Sequence, residues 1–100
     1  MSMKVFLEVE IKAGSEDEAP AILRETLAQT DAFTGNESLE VVIDDADPRK
    51  MIVIETWAAT ADHDAYLAWR ATPEGATKLG SILAGPPVTR TFEKTLPLGS

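Results

Sequence analysis

One run of residues limits the folds open to this chain more than any other. Met51-Ile52-Val53-Ile54-Glu55-Thr56-Trp57 is rich in β-branched side chains and apolar on both faces except at Glu55 and Thr56. A strand of that kind has neighbours on both edges and cover on both faces, so it belongs in the middle of a sheet. The rest of the chain must then supply the flanking strands. Met3 to Ile11 alternates, with Met3, Val5, Leu7, Val9 and Ile11 on one side and Lys4, Phe6, Glu8 and Glu10 on the other, a period-two strand pattern. Glu37 to Asp44 reads as another strand, with Leu39, Val41 and Ile43 on one face, joined to the central run by the polar hairpin Asp44–Arg49. Val88 to Lys94 reads as the last.

Helical patterns separate these strands. Ser15-Glu16-Asp17-Glu18 has capping-box spacing, and a start near Asp17 puts Pro20 in the first turn. Ala19, Ile22, Leu23, Thr26, Leu27 and Thr30 then fall on one helical face. Thr60 is placed to cap a second helix, with Asp62 in its first turn. Thr72-Pro73-Glu74-Gly75 predicts that this helix restarts and continues through Ala76, Leu79, Gly80 and Leu83 until Gly85-Pro86-Pro87. The order β-α-β-β-α-β is that of a ferredoxin-like α+β fold, an antiparallel four-stranded sheet with helices on one face. The expectation is a single domain over residues 1–95 with a loose tail at 96–100. Two helices cover one face only, yet Phe6, Val42, Phe92 and one side of the central strand put apolar groups on the other. That pattern predicts a homodimer in which two sheets close on each other.

Composition removes several function classes. Seventeen acidic against nine basic residues give a net charge of −8, which argues against nucleic acid and anionic membrane as partners. With no cysteine and one histidine, thiol nucleophiles, zinc–thiolate sites and multi-histidine metal sites within one chain are excluded, and no metal or other cofactor is expected. The six glycines form no phosphate-binding loop. No apolar run approaches membrane length and no secretory pattern leads the chain, so a cytoplasmic protein is expected.

The chemistry-bearing residues cluster. Both tryptophans, the only tyrosine and the only histidine lie between Trp57 and Arg70. Trp57 either packs in the core or forms a wall on which an aromatic substrate stacks. His63 is the side chain best suited to move a proton near neutral pH, or else a packed histidine. His63, Tyr66 and Arg70 share one helical stripe. Arg70 is placed either to hold an enolate or phenolate or to form a structural ion pair. Trp69 reads as a dimer contact or cavity rim, and Glu55 as a partner for Arg90 or Arg70, or a buried base.

Glu55-Thr56-Trp57, the small-residue turn after it and the helix bearing Asp64-Ala65-Tyr66-Leu67 resemble the antibiotic biosynthesis monooxygenase superfamily. The Gly35 turn, the Asp47-Pro48 hairpin and the Gly85-Pro86-Pro87 approach to the last strand extend the resemblance over nearly the whole chain. It implies a dimeric α+β barrel. Trp57 then stands where polyketide-oxidising members have a pocket tryptophan, His63 where they have a tyrosine, and Val53 where they have an asparagine. Haem-degrading members use a first-strand asparagine and a second-helix histidine; Glu8 or Glu10 and Ala76-Thr77-Lys78 stand in those regions here. The implied activity is cofactor-independent oxidation of a phenol- or quinol-type small aromatic molecule. Trp57 and Trp69 would bind the ring, His63 or Tyr66 would handle the proton, and Arg70 would hold the anion. The alternatives are isomerisation of a small carbonyl compound in the same barrel, or a non-catalytic dimeric binding module.

Overall fold

The computed structural model describes residues 2–99. Four strands form one antiparallel sheet: β1 (Met3–Glu10), β2 (Asn36–Ile43), β3 (Lys50–Trp57) and β4 (Val88–Phe92). Their spatial order is β2-β3-β1-β4. The run that is apolar on both faces is therefore an interior strand, as its composition requires. Helix α1 (Ala19–Ala32) joins β1 to β2, and α2 (Thr60–Arg70) follows β3. This is the ferredoxin-like arrangement expected from the order of elements.

Register assigns each side chain to a face. Val5 pairs with Glu55 and Met3 with Trp57 across β1 and β3, and Leu39 lies opposite Glu55 on β2. These residues point toward the helices. Met3, Val5, Trp57 and Tyr66 make one buried cluster, while Ile11, Ala19, Leu23 and Ile82 make a second. Lys4, Phe6 and Glu8 alternate with them and face the side that carries no helix.

Three local expectations change. The Ser15/Glu18 capping box does not form: α1 begins at Ala19 without a side-chain cap. The Ala19 amide instead donates to the Ser15 carbonyl at 3.0 Å, and Glu16 turns back to accept from the Gly14 amide at 2.6 Å. A carboxylate this close to a free amide satisfies it without a helical N-terminus. Pro20 does sit in the first turn, where it has no intrahelical bond to lose. Ala59, not Thr60, flanks α2, and the Thr60 hydroxyl donates to Glu93 at 2.6 Å.

The third change is the largest. No helix continues to Leu83; the segment folds as two 3-10 turns, Pro73–Gly75 and Leu79–Ile82. Thr72 caps the first, accepting from the Gly75 amide at 3.3 Å. Gly75 is buried, and a Cβ there would collide with the Trp69 carbonyl. Packing against the end of α2 thus turns the chain where helical spacing had predicted continuation, and two glycines within six residues already weaken a helix there. The apolar spacing keeps its purpose, because Ile82 is fully buried beside Ile11 and Leu23.

The β2–β3 hairpin follows turn chemistry. One Asp44 oxygen accepts from the Ala46 and Asp47 amides at 2.9 Å each, and Asp47 accepts from the Arg49 amide at 3.0 Å. Gly35, at φ +92°, immediately precedes β2 and lies directly under the Asp62 side chain, so its lack of a Cβ lets the loop meet the start of α2. No helix among the described residues is long and apolar enough to cross a membrane.

Candidate functional site

The last residue of β3 and the stripe on α2 meet at one end of the sheet. Trp57 is fully buried, and its ring lies 5.0 Å from Tyr66 and 5.5 Å from His63, centroid to centroid. His63 and Tyr66 rings are 6.3 Å apart, and Trp69 lies 6.3 Å from Tyr66. The spacing of His63, Tyr66 and Arg70 on one stripe thus delivers them, with both tryptophans, to one place. Trp69 is half-buried on the helix side, away from the bare sheet face.

Two of these residues are engaged with each other. The Tyr66 hydroxyl lies 2.7 Å from the Thr30 hydroxyl and accepts from Arg70 Nε at 2.7 Å. Arg70 also donates to Gln29, the Gly75 carbonyl, the Thr26 carbonyl and Thr30 at 2.7, 3.2, 2.8 and 3.1 Å. Its guanidinium rests 5.0 Å from the Tyr66 ring centroid and 4.9 Å from that of Trp69. One side chain thereby ties α1, α2 and the following turn together, using the planar fork that makes arginine suited to such work.

Glu55 corrects an expectation. No ion pair to Arg90 or Arg70 forms within 4 Å; among the described residues the only such pair is Arg49–Asp47 at 3.8 Å. Arg90 is on the opposite face of the sheet, opposite Phe6. Glu55 instead accepts from the Trp57 indole N–H at 2.8 Å. Burial pushes its carboxyl above the ordinary value, against the weaker opposing pull of that hydrogen bond and of the Arg70 charge.

His63 differs from its neighbours. It is 4% exposed, and no hydrogen bond from its ring nitrogens is found among the described residues. Burial lowers its pKa, with the nearby Asp64 charge opposing. The imidazole is therefore neutral at pH 7 and has a lone pair to offer.

Two participants were missed at the sequence level. Phe33, two residues before Gly35, packs 5.3 Å from Tyr66, 5.5 Å from Trp69 and 6.2 Å from Trp57. Asn36, directly after Gly35, pairs with Trp57 across β2 and β3. Both polar atoms of its side chain are buried without a partner among the described residues. A buried, unpaired amide is costly, which makes it the polar feature of this region most in need of explanation. The flanking Gly35 gave a turn signal that concealed both residues.

A depression of about 810 Å³ lies at the other end of the sheet. Glu8, Glu10, Asp44 and Asp45 rim it, with Lys50 the one basic group, over a floor that includes Ile52 and Val88. It opens onto the bare face and shares no residue with the aromatic cluster. No group of three or more His, Asp or Glu side chains converges in metal-binding geometry among the described residues.

A sequence model of the family described as antibiotic biosynthesis monooxygenase matches residues 2–76, three-quarters of the chain and all of the aromatic cluster. This chain belongs to that family. Solved structures agree on the fold. A conserved protein from Methanosarcina mazei superposes with TM-score 0.80 at 14% identity, covering 95% of this chain and 94% of its own. A crystal structure named antibiotic biosynthesis monooxygenase gives 0.78 at 18%, covering 94% and 99%. Rv0793 from Mycobacterium tuberculosis gives 0.77 at 14%, covering 99% and 100%. Comparison with curated proteins finds no match. Family membership makes this a monooxygenase-like or small-molecule-binding fold, and at these identities the structural likeness extends to architecture alone.

Proposed function

We propose that the protein is a homodimeric, cofactor-independent monooxygenase that oxidises a phenol- or quinol-type small aromatic molecule at the Trp57–His63 cluster. One observation carries the reading: His63 is buried against Trp57, held neutral by its surroundings, and free of hydrogen bonds among the described residues. A buried neutral imidazole beside an aromatic wall is equipped to take a phenolic proton. The resulting phenolate is electron-rich enough to reduce oxygen. The balance closes without a cofactor: a phenol and O₂ give a quinone and water, one oxygen atom staying on the ring.

The other residues take supporting roles. A substrate ring would stack against the outer edge that Phe33 and Trp69 form, both half-buried and in contact with Trp57 or Tyr66. Arg70 would meet the anion by exchanging its bond to exposed Gln29, leaving its bonds to Thr26 and Gly75 in place. Tyr66, fixed by Thr30 and Arg70, would set the position of that charge. The Asn36 amide would supply a donor and an acceptor at the edge of the same site.

A second reading has its own support. Trp57 has no exposed surface and its N–H is already bonded to Glu55, as in a core residue of a non-catalytic dimeric module. Oxygen uptake separates the two. With a panel of phenols and hydroxynaphthalenes, the first reading expects ligand-dependent quenching of tryptophan fluorescence together with oxygen consumption. His63→Gln should retain the quenching and lose about 10²-fold or more in turnover. Quenching with no consumption of oxygen favours the module, and product formation without oxygen favours an isomerase.

A further inference from the structure

Arg70 carries its charge among neutral partners. Its N–H donors go to the Tyr66 hydroxyl, the Gln29 side-chain carbonyl, the Gly75 and Thr26 backbone carbonyls and the Thr30 hydroxyl. No carboxylate lies within 4 Å of it among the described residues. Glu55, a buried acid that feels its charge, is pushed toward the neutral form by burial. These bonds satisfy the guanidinium's donors and leave its charge uncompensated. A guanidinium stays charged throughout the physiological range, and one partly withdrawn from water is best met by an anion.

A cleft of about 230 Å³ lies directly beyond two of those partners. Helix α1 lines one wall with Ile22, Glu25, Thr26 and Gln29, and the segment 76–78 lines the other. The cleft shares no residue with the aromatic cluster of Trp57, His63 and Tyr66. Thr26 is buried and gives its backbone carbonyl to Arg70. Gln29 is exposed, and its bond to Arg70 Nη1 is the one of the set made at the surface. Lys78 and Glu25 face the same cleft and form no ion pair within 4 Å among the described residues. The Thr77 hydroxyl accepts from the Leu79 amide at 3.2 Å, which leaves its own O–H free to donate. With Arg70 directly behind Gln29, two positive charges and one negative act on this space.

We propose that this cleft binds a small organic monocarboxylate, whose carboxylate replaces the Gln29 carbonyl on Arg70 Nη1. The inference rests on the reading, shared with the proposed function, that Gln29 is the partner Arg70 exchanges; it requires no oxygen chemistry. The exchange brings opposite charges into contact, which a neutral amide oxygen cannot do. Rotation of the released Gln29 side chain lets its NH₂ donate to the second carboxylate oxygen. Lys78 and the Thr77 hydroxyl supply donors from the facing wall. The charge of the ligand follows from the same groups. A monoanion neutralises the cleft, whereas a phosphate dianion leaves it negative beside Glu25. Its size follows from the volume, which is below the roughly 300 Å³ at which pockets for drug-sized molecules begin and has room for one ring. Ile22 and Ala76 give that ring apolar wall.

Benzoate is the probe, titrated into the full chain. Proton–nitrogen correlation spectra should show saturable shifts of the Gln29 side-chain amide and of the Arg70 Nε–H. Benzyl alcohol, similar in size and uncharged, should bind at least about tenfold more weakly, and inorganic phosphate should do the same. Lys78→Glu should weaken benzoate by about tenfold, since it replaces an attraction by a repulsion, and Glu25→Gln should tighten it by roughly threefold. Both positions are exposed, so circular dichroism should show unchanged folding. Equal affinity for benzyl alcohol, tighter binding of phosphate, or benzoate binding that ignores both substitutions overturns the site. So does a titration that produces no saturable shift at Gln29. Oxygen uptake with phenols, measured on the same proteins, separates this inference from the proposed reaction. Uptake by a protein that does not bind benzoate leaves the reaction standing without the site. Benzoate binding by a protein inert toward phenols leaves the site standing without the reaction.

Discussion

The two faces of the sheet treat polar groups differently. On the helix side, polar groups beside the aromatic rings are paired within the chain: Trp57 with Glu55, Tyr66 with Thr30 and Arg70, and Arg70 with two backbone carbonyls. On the bare side, Glu40 and Arg90 lie at opposite edges with only apolar groups between them. The first face holds the fold together, whereas on the second Glu40 and Arg90 make no hydrogen bond or ion pair among the described residues. The contrast also isolates His63 and Asn36, which lie on the covered side without the partners their neighbours have. A group left free where all else is satisfied is a candidate for chemistry.

Substitutions on the covered face should cost stability first. Trp57→Ala should lose about 3–5 kcal/mol, from the cavity left by a fully buried ring, and thermal denaturation should read this as a fall of tens of degrees. Arg70→Met should cost about 1–3 kcal/mol, since the Tyr66 hydroxyl and two carbonyls lose a donor. If Arg70→Met melts like the parent, the pairing on this face is decorative and the contrast between faces weakens.

The two shifted groups give pH dependences of opposite sign. His63 has its pKa lowered in the fold, so the unfolded chain binds more protons once the pH drops below about 6.5. Its contribution is intact above that value and declines as the pH falls toward the folded pKa. Glu55 has its pKa raised, so its contribution is full below about 4.5 and is lost as the pH rises through the folded pKa. Urea melts from pH 7 to 5 should show a shallower acid-side decline in His63→Gln. Glu55→Gln should remove the loss on the alkaline side of its titration. Equal profiles for parent and variants would contradict the burial of these groups.

The smallest effect on folding should come from the bare face. Val42→Thr or Val88→Thr should change the melting temperature, measured at concentrations where the protein is monomeric, by no more than about 0.5 kcal/mol equivalent. The same substitutions should weaken self-association seen by light scattering. A large loss of monomer stability would mean that this face packs against its own chain.

Period-two alternation in Met3–Ile11 and the run Met51–Trp57 determined the strands, and their order with the two helices determined the topology. Side-chain period is a local property, so it is written directly in the residues. The stripe of His63, Tyr66 and Arg70 was readable for the same reason, as helical spacing places them together wherever the helix packs. What each of them touches was not readable. Glu55 meets Trp57 rather than an arginine because pleat and register put Arg90 on the other face. Tyr66 and Arg70 meet Thr30 only because α1 packs beside α2, a contact between residues about 40 apart in the chain. Phe33 and Asn36 carry the signature of a turn and acquire their role only when β2 pairs with β3. Residues 72–83 have helical spacing, yet they fold as two short turns because Gly75 must fit against the Trp69 carbonyl. Local periodicity determined the elements and the faces, whereas hydrogen-bond partners and close approaches depend on distances between segments remote in sequence, and only the packed chain decided those.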